Sequence, residues 1–294
     1  MLSDDAPPLG PDSLTWECFG DLRGLLLVGR AGILQNMHPA IGAGVNQHSD
    51  YFNNPWNRLL RSMAPILGIV YDGPRAPATG AEVRDFHKQI KGVDQNGQRY
   101  HALQPEVYYW AHATFFQSQI EMRRLFGTPL TAAQEERLYE ESVRWYAQYG
   151  LSMRPVPPDY AAFKLYWEET VARLQLTEPV AWSLDPARRR DVAPPYPSIP
   201  SWLWWFMRPV VMGGSMWLAA GTLPAAARAT LGLTWSDRDE RRLRLIAKTA
   251  RALFRVIPHD WRYLPRARQG WKRVRREAKA GRIVPRGEIA ASAR

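Results

Sequence analysis

Segments with the spacing of amphipathic helices follow one another along the chain, and they predict an all-α protein. No segment shows the sustained apolar–polar alternation of a half-buried strand. Local signals mark where several helices begin and end. Asn54-Pro55 is a typical helix start. Thr131, with Gln134 three residues later, forms a capping box for a helix that Gly150 would end.

Residues 84–116 contain two predicted helices, each with one histidine among apolar residues. In the first, Val83, His87 and Ile90 fall at i, i+4 and i+7, so they form an apolar stripe. Arg84 precedes His87 by about one helical turn. We therefore predict that His87 and Arg84 face the protein interior from one helix.

The second helix follows a polar connection that has an Asn96-Gly97 turn signal. Pro105 is well placed to start it. Its predicted inner face contains Tyr108, His112, Phe115 and Phe116. If the two helices pack as neighbours, the two histidines and Arg84 converge in an aromatic cavity.

Such a cavity suits a flat, apolar, dianionic cofactor such as haem. A histidine can bind the iron, and an arginine can pair with a propionate. A hydrogen-bonded core histidine is the commoner explanation of one histidine on an apolar face. The spacing alone leaves both interpretations open.

The composition is that of an ordinary globular protein with many tryptophans. Of 294 residues, 46% are hydrophobic and 23% are charged. The 13 tryptophans indicate an aromatic-rich cavity or an interfacial surface, although a well-packed helical core explains them equally well.

The positive charge is concentrated in a basic C-terminal tail, residues 262–294. This segment holds 11 Lys/Arg and 2 Asp/Glu, a net +9, which leaves +2 of the total +11 for the rest. No zinc finger, helix-turn-helix or aromatic RNA-binding signature accompanies the charge, so we exclude nucleic acid as a partner. We expect a solvated helix end at residues 271–288 (WKRVRREAKAGRIVPRGE), with an anionic membrane surface as the candidate partner of the basic tail.

The remainder divides into a flexible leader, residues 1–12, and one helical domain, residues 13–261. The leader is acidic and Pro-rich and lacks the basic start of a secretion signal, so we expect a cytoplasmic protein with peripheral membrane contact. The single cysteine, Cys18, excludes an intrachain disulfide and covalent c-type haem attachment.

Residues 201–224 are the most apolar stretch of the chain. Arg208-Pro209 and Gly213-Gly214 interrupt it, so we predict a buried helical hairpin or an interfacial segment rather than a spanning helix. A core position, a substrate entrance and a membrane contact all remain open for this stretch.

Several chemistries are excluded by missing motifs. The chain has no GxSxG, GxxxxGK[ST], HExxH or paired-glycine motif, so hydrolase, P-loop and Rossmann interpretations have no support. His38 and His48 have no carboxylate or histidine at helical spacing, and we interpret them as structural.

Six segments resemble, in order, the catalytic domain shared by the rubber oxygenases (latex clearing proteins) and the fungal MpaB-type oxygenases. They are residues 38–49 (HPAIGAGVNQHS), 54–62 (NPWNRLLRS), 83–92 (VRDFHKQIKG), 99–116 (RYHALQPEVYYWAHATFF), 126–141 (FGTPLTAAQEERLYEE) and 223–235 (LPAAARATLGLTW). No single segment is as specific as a phosphate loop, but the ordered set is.

The resemblance implies a globin-reminiscent, multi-helix domain that binds haem b. His112 matches the family's proximal iron ligand, and Arg84 matches an arginine beside the haem. His87 matches a position on the opposite haem face where the rubber enzyme has a lysine able to bind the iron. Lys88 replaces a threonine there, and no residue is identified as the family's distal carboxylate. Tyr108 and Phe116 complete the predicted haem-binding set.

Three alternative functions are compatible with these sequence features. The first is a haem b oxygenase that acts with dioxygen on a hydrophobic, isoprenoid or lipid-like substrate, with His87 and Arg84 as catalytic residues. The second is a non-enzymatic haem protein in which His87 and His112 both bind iron, for electron transfer or redox sensing with an unknown redox partner. The third is a membrane-peripheral helical protein that has lost the cofactor.

Overall fold

Thirteen α-helices and one small β-hairpin make up residues 7–281, the part of the chain that the computed structural model describes. The helices are α1 (Leu14–Cys18), α2 (Val28–Asn36), α3 (Pro39–His48), α4 (Pro55–Tyr71), α5 (Ala76–Asp85), α6 (Pro105–Phe126), α7 (Ala132–Ala147), α8 (Tyr160–Arg173), α9 (Glu178–Leu184), α10 (Ser201–Thr222), α11 (Ala225–Thr230), α12 (Asp237–Val256) and α13 (Pro265–Lys279). Three 3₁₀ helices occupy Leu22–Leu27, Gly73–Arg75 and His259–Arg262. The prediction of an all-α protein is confirmed.

The predicted capping signals form as expected. Asn54 caps α4 by accepting from the Asn57 N–H, and the Thr131–Gln134 capping box opens α7. Gly150 has φ +62°, the left-handed conformation that glycine adopts without strain. This conformation prevents the helix from continuing beyond the end of α7.

The polar connection before α6 is a β-hairpin. Strand β1 (Lys91–Val93) pairs antiparallel with β2 (Arg99–His101), so that Gly92 faces Tyr100. Gly97 has φ +76°, which confirms the predicted Asn96-Gly97 turn. Three-residue strands are too short to give a recognisable alternation, which explains why the sequence predicts none.

Helix α6 is the centre of the main core. It packs against α1, α2, α7 and α12, and its Trp110, Phe116 and Phe126 are fully buried. The Trp110 indole N–H donates to the Leu34 carbonyl oxygen of α2 at 3.0 Å. Long-range packing of this kind fixes α6 firmly, so side chains on it are well positioned.

Residues 7–12 pack against the helical body, which corrects the prediction of a flexible leader for this stretch. Leu9 is only 3% exposed, and its carbonyl accepts from the Trp16 indole N–H at 3.1 Å. Burial of Leu9 anchors the backbone that precedes α1. Residues 1–6 lie outside the described part of the chain.

Helix α13 is likewise packed, so the prediction of a solvated helix end is wrong for residues 271–279. Its buried residues are Ala267, Gly270, Trp271 and Val274. Arg266 forms a two-point ion pair with Asp72 at the end of α4. Lys272, Arg276 and Lys279 are exposed on the outer side of a helix whose inner side belongs to the core. The rest of the predicted tail, residues 282–294, is outside the described residues.

Residues 201–222 form one continuous helix, α10, and the predicted hairpin is wrong. Pro209 is accommodated inside it, and Gly213-Gly214 do not end it. Among the described helices, none is both long enough and apolar enough to cross a bilayer.

Candidate functional site around His112

His112 is buried in the core, and hydrogen bonds at one ring nitrogen fix its position. The imidazole is 2% exposed, and its Nε2 lies 3.0 Å from the Ser142 carbonyl oxygen and 3.2 Å from Ser142 Oγ on α7. A carbonyl oxygen only accepts, so we assign the ring proton to Nε2. The same contact fixes the ring's orientation.

The other ring nitrogen, Nδ1, therefore has no proton and carries a lone pair. It is buried and has no hydrogen-bond partner among the described residues. Burial lowers the pKa of His112 to about 3, so the imidazole is neutral at physiological pH. A neutral, oriented imidazole with one unshared lone pair is the form in which histidine binds a metal.

Aromatic rings surround His112 on several sides. Ring centroids lie 4.7 Å away for Trp145, 5.2 Å for Tyr146, and 6.1 Å for both Tyr109 and Tyr149. The Tyr146 hydroxyl is also buried without a partner among the described residues. The walls of the site are therefore aromatic, and the His112 Nδ1, the Tyr146 hydroxyl and the Trp145 indole nitrogen are buried in it without hydrogen-bond partners among the described residues.

His87 does not lie on a helix, which corrects the sequence prediction. Helix α5 ends at Asp85, and the turn that follows carries His87. Its Nδ1 lies 2.8 Å from the Val83 carbonyl oxygen, so Nδ1–H donates to a carbonyl that the end of α5 leaves free. Burial, with a smaller effect from Arg58, lowers the pKa of His87.

Tyrosine rings link the two histidines. His87 contacts the edge of Tyr108 at 5.5 Å, Tyr108 contacts Tyr149 at 5.0 Å, and Tyr149 contacts His112 at 6.1 Å. The predicted convergence is thus a convergence on one tyrosine cluster, with Tyr108 and Tyr149 lying between the histidines.

Arg84 reaches the same cluster from the end of α5. Its Nη1 donates to the Tyr149 carbonyl oxygen at 3.4 Å, and its Nε donates to Asp85 Oδ1 at 3.0 Å. The guanidinium remains partly exposed, so it can contact a charged group at the edge of the cluster. Lys88 forms a surface ion pair with Asp85 at 2.9 Å, and its role as a cofactor contact stays a prediction.

Phe116 belongs to a neighbouring part of the core. Its fully buried ring packs on Phe163 of α8 at 4.8 Å and on Tyr139 of α7 at 5.5 Å. It supports the helix that carries His112, and its contact with a cofactor stays a prediction.

Sequence reasoning missed the contribution of α7 and of the turn that follows it to this site. Ser142 holds His112, and Trp145 and Tyr149 pack against it. With Leu138, these residues follow the spacing i, i+4, i+7 and i+11 of one helical face. A serine inside an otherwise apolar stripe was the available signal.

No group of three or more His, Cys, Asp or Glu side chains within residues 7–281 is arranged to hold a metal ion.

The catalytic-domain model of the ER-bound oxygenase mpaB/B' and rubber oxygenase matches residues 16–252, which include every element of this site. The chain belongs to this oxygenase family. Membership makes an oxygenase-type activity the expected chemistry and agrees with the resemblance of the six ordered segments.

Two mycobacterial proteins are similar to this family member. They are the uncharacterized proteins Mb2261 of Mycobacterium bovis and Rv2237 of Mycobacterium tuberculosis, each 26% identical over 242 residues. The alignment covers 80% of this chain and 90% of either relative. No solved structure matches the chain.

Proposed function

We propose that this protein is a haem b-dependent oxygenase that acts with dioxygen on a hydrophobic, isoprenoid or lipid-like substrate. The observation that carries the proposal is His112, a buried and neutral imidazole held by Ser142 on one side and unpartnered at Nδ1 on the other. Membership in the oxygenase family supplies the reaction class.

The residues present fit haem as a set of donors. His112 Nδ1 would hold the iron, and the partly exposed Arg84 would pair with a propionate at the edge of the cluster. The rings of Tyr108, Tyr146 and Tyr149, which pack on one another beside His112, would supply apolar walls for a porphyrin. When bound, haem supplies the redox chemistry of dioxygen activation, which no side chain can supply.

Each side chain then has a separate task. The Ser142 carbonyl keeps the His112 proton on Nε2 and so keeps Nδ1 available. Because Val83 accepts from Nδ1 of His87, proton exchange at His87 takes place at Nε2. The lowered pKa of His87 makes it a neutral acceptor near pH 7 that can hold a proton and return it.

The first test is an absorption spectrum of the protein purified after expression with a haem precursor. The wild type should retain a Soret band through gel filtration, and His112→Ala should lose most of it. His48→Ala, at an exposed histidine, is the matched control and should retain full haem. Full haem in His112→Ala would mean that another residue binds the iron, and a colourless wild type would favour a protein without the cofactor.

A second function, a bis-histidine haem protein for electron transfer or redox sensing, has one observation in its favour. His87 and His112 each give one ring N–H to a backbone carbonyl, so each keeps one nitrogen lone pair. Both could bind iron only if Tyr108 and Tyr149 moved from between them. Carbon monoxide binding to the ferrous protein distinguishes the two: rapid binding indicates an open iron site, and very slow binding indicates two histidine ligands.

A further inference from the structure

Helix α10 presents a row of large apolar side chains to solvent. The exposed fractions are 67% for Trp202, 65% for Phe206 and 75% for Val210. These residues recur every four positions, so they lie on one face of the helix. Trp205, 63% exposed, packs its ring 4.9 Å from that of Phe206. Exposed apolar clusters of this kind mark interaction surfaces.

The opposite side of α10 is held rigidly. The Trp204 indole N–H donates to the Val192 carbonyl at 2.7 Å, and Arg189 Nη1 donates to the Met212 carbonyl at 3.0 Å. The helix therefore cannot rotate its exposed row into the core without breaking these buried contacts.

An apolar groove joins α10 to α12. Its lining includes Leu25 of the 3₁₀ helix Leu22–Leu27, Val210 of α10 and Ile246 of α12. Each of these three side chains is also exposed at the rim. The apolar area is thus continuous from the exposed row of α10 to the outer face of α12.

The outer face of α12 adds positive charge. Residues 241–256 contain six Lys/Arg and no Asp/Glu. Leu245, Leu253 and Val256 are exposed between these basic side chains. A helix that exposes both apolar and basic residues on its solvent side is typical of contact with lipid headgroups.

We propose that these faces of α10 and α12 form one surface that binds an anionic lipid bilayer, and we call it the α10–α12 surface. The tryptophans would lie at headgroup depth, and the α12 arginines and lysine would pair with lipid phosphates. The charge argues against the other occupants. A second copy would place two basic helices together, and residues 282–294, with three Arg and one Glu, are themselves positive.

Vesicle co-sedimentation of the full-length protein tests the proposal. The wild type should bind phosphatidylcholine vesicles that contain phosphatidylglycerol and should not bind vesicles of phosphatidylcholine alone. Arg241→Gln with Lys248→Gln should weaken binding about thirtyfold, because each basic residue near the surface contributes ~1 kcal/mol. Trp202→Gln with Phe206→Gln should also weaken binding.

The matched control for charge is Lys91→Gln with Arg99→Gln, two exposed residues of the hairpin. It should bind vesicles as the wild type does. Equal loss in this control would mean that net charge alone drives binding, and equal binding to neutral vesicles would remove the role of α12. Either result would overturn the proposal.

A fluorescent label locates the contact. The native thiol, Cys18, is buried, and burial raises its pKa to about 12, so it does not compete for a thiol-reactive dye. A bimane attached at Val210→Cys should shift to the blue on addition of anionic vesicles. The same dye at Leu165→Cys, an exposed position on α8, should not shift.

Two outcomes would identify another occupant and overturn the proposal. A blue shift at position 210 that rises with protein concentration, without vesicles, would indicate a second copy. A vesicle-free blue shift that Arg282→Gln with Arg286→Gln removes would indicate the chain's own C-terminal segment. None of these results depends on haem, so the proposed function is tested separately.

Discussion

Acidification should destabilise the haem-free protein through His112. Burial lowers the pKa of this imidazole to about 3, whereas an unfolded histidine titrates near ~6.5. Below the unfolded pKa, the unfolded chain binds a proton that the folded protein does not, so stability falls as the pH falls. The loss is ~1.4 kcal/mol per pH unit, or about 2 kcal/mol between pH 7 and pH 5. The full loss, about 5 kcal/mol, is reached only below pH 3.

Urea unfolding at pH 7, 6 and 5, followed by circular dichroism, measures this effect. The comparison is between the wild type and His112→Gln, whose amide can still donate to the Ser142 carbonyl but does not titrate. The variant should lose about 2 kcal/mol less stability than the wild type between pH 7 and pH 5. His48→Gln, at an exposed position, should behave as the wild type does.

His87 also has a lowered pKa and contributes a loss of the same sign, so a His87→Gln variant separates the two histidines. If the wild type and His112→Gln lose the same stability on acidification, His112 titrates as a hydrated histidine. The dry, neutral donor on which the proposed function rests would then not exist.

Three further predictions concern the cofactor and the fold. Arg84→Ala should speed haem transfer to apomyoglobin about tenfold or more, because a charge-assisted contact contributes ~1.5–3 kcal/mol, and Arg84→Lys should speed it less. His87→Ala should convert a low-spin ferric spectrum to high-spin and speed carbon monoxide binding if His87 binds iron; if His87 only exchanges protons, the spectrum should persist and turnover should fall. Trp271→Ala should lower the free energy of unfolding by about 3–5 kcal/mol in urea, because it empties a buried site between α13 and α1.

Each of these has a clear contrary result. Unchanged haem transfer in Arg84→Ala would place the propionates elsewhere. A His87→Ala protein unchanged in spectrum, ligand binding and turnover would leave His87 with its role at the end of α5 alone. An unfolding free energy unaffected by Trp271→Ala would mean that α13 detaches in solution.

The features that the sequence predicted correctly are local. The start of α6 at Pro105, the Thr131–Gln134 capping box and the Asn96-Gly97 turn each depend on residues within one turn of the chain. Such signals act through backbone geometry and nearby hydrogen bonds, so they are visible without knowledge of the fold.

The errors have physical causes that lie outside a local window. Neither glycine nor proline marks the end of α5. Instead, the His87 side chain caps the helix end by donating its Nδ1–H to the Val83 carbonyl oxygen. The sequence of helix α13 suggests a solvated helix because seven basic residues surround the stripe of Ala267, Trp271 and Val274. The contact of Ser142 with His112 joins two helices, so only the tertiary structure shows it.

The packing of α13 on the start of the chain has a consequence for biosynthesis. The Trp16 ring lies 5.3 Å from that of Trp271, and the Leu264 N–H donates to the Gly20 carbonyl at 2.8 Å. These partners are separated by more than 240 residues in the sequence. The start of the chain therefore lacks these contacts until the ribosome has synthesised α13. Contacts of such long sequence separation form late in folding. Trp16 can therefore pack on Tyr71 of α4 early but lacks its contact with Trp271 until α13 has been synthesised, so α13 is the last of the described helices to complete the packing around α1.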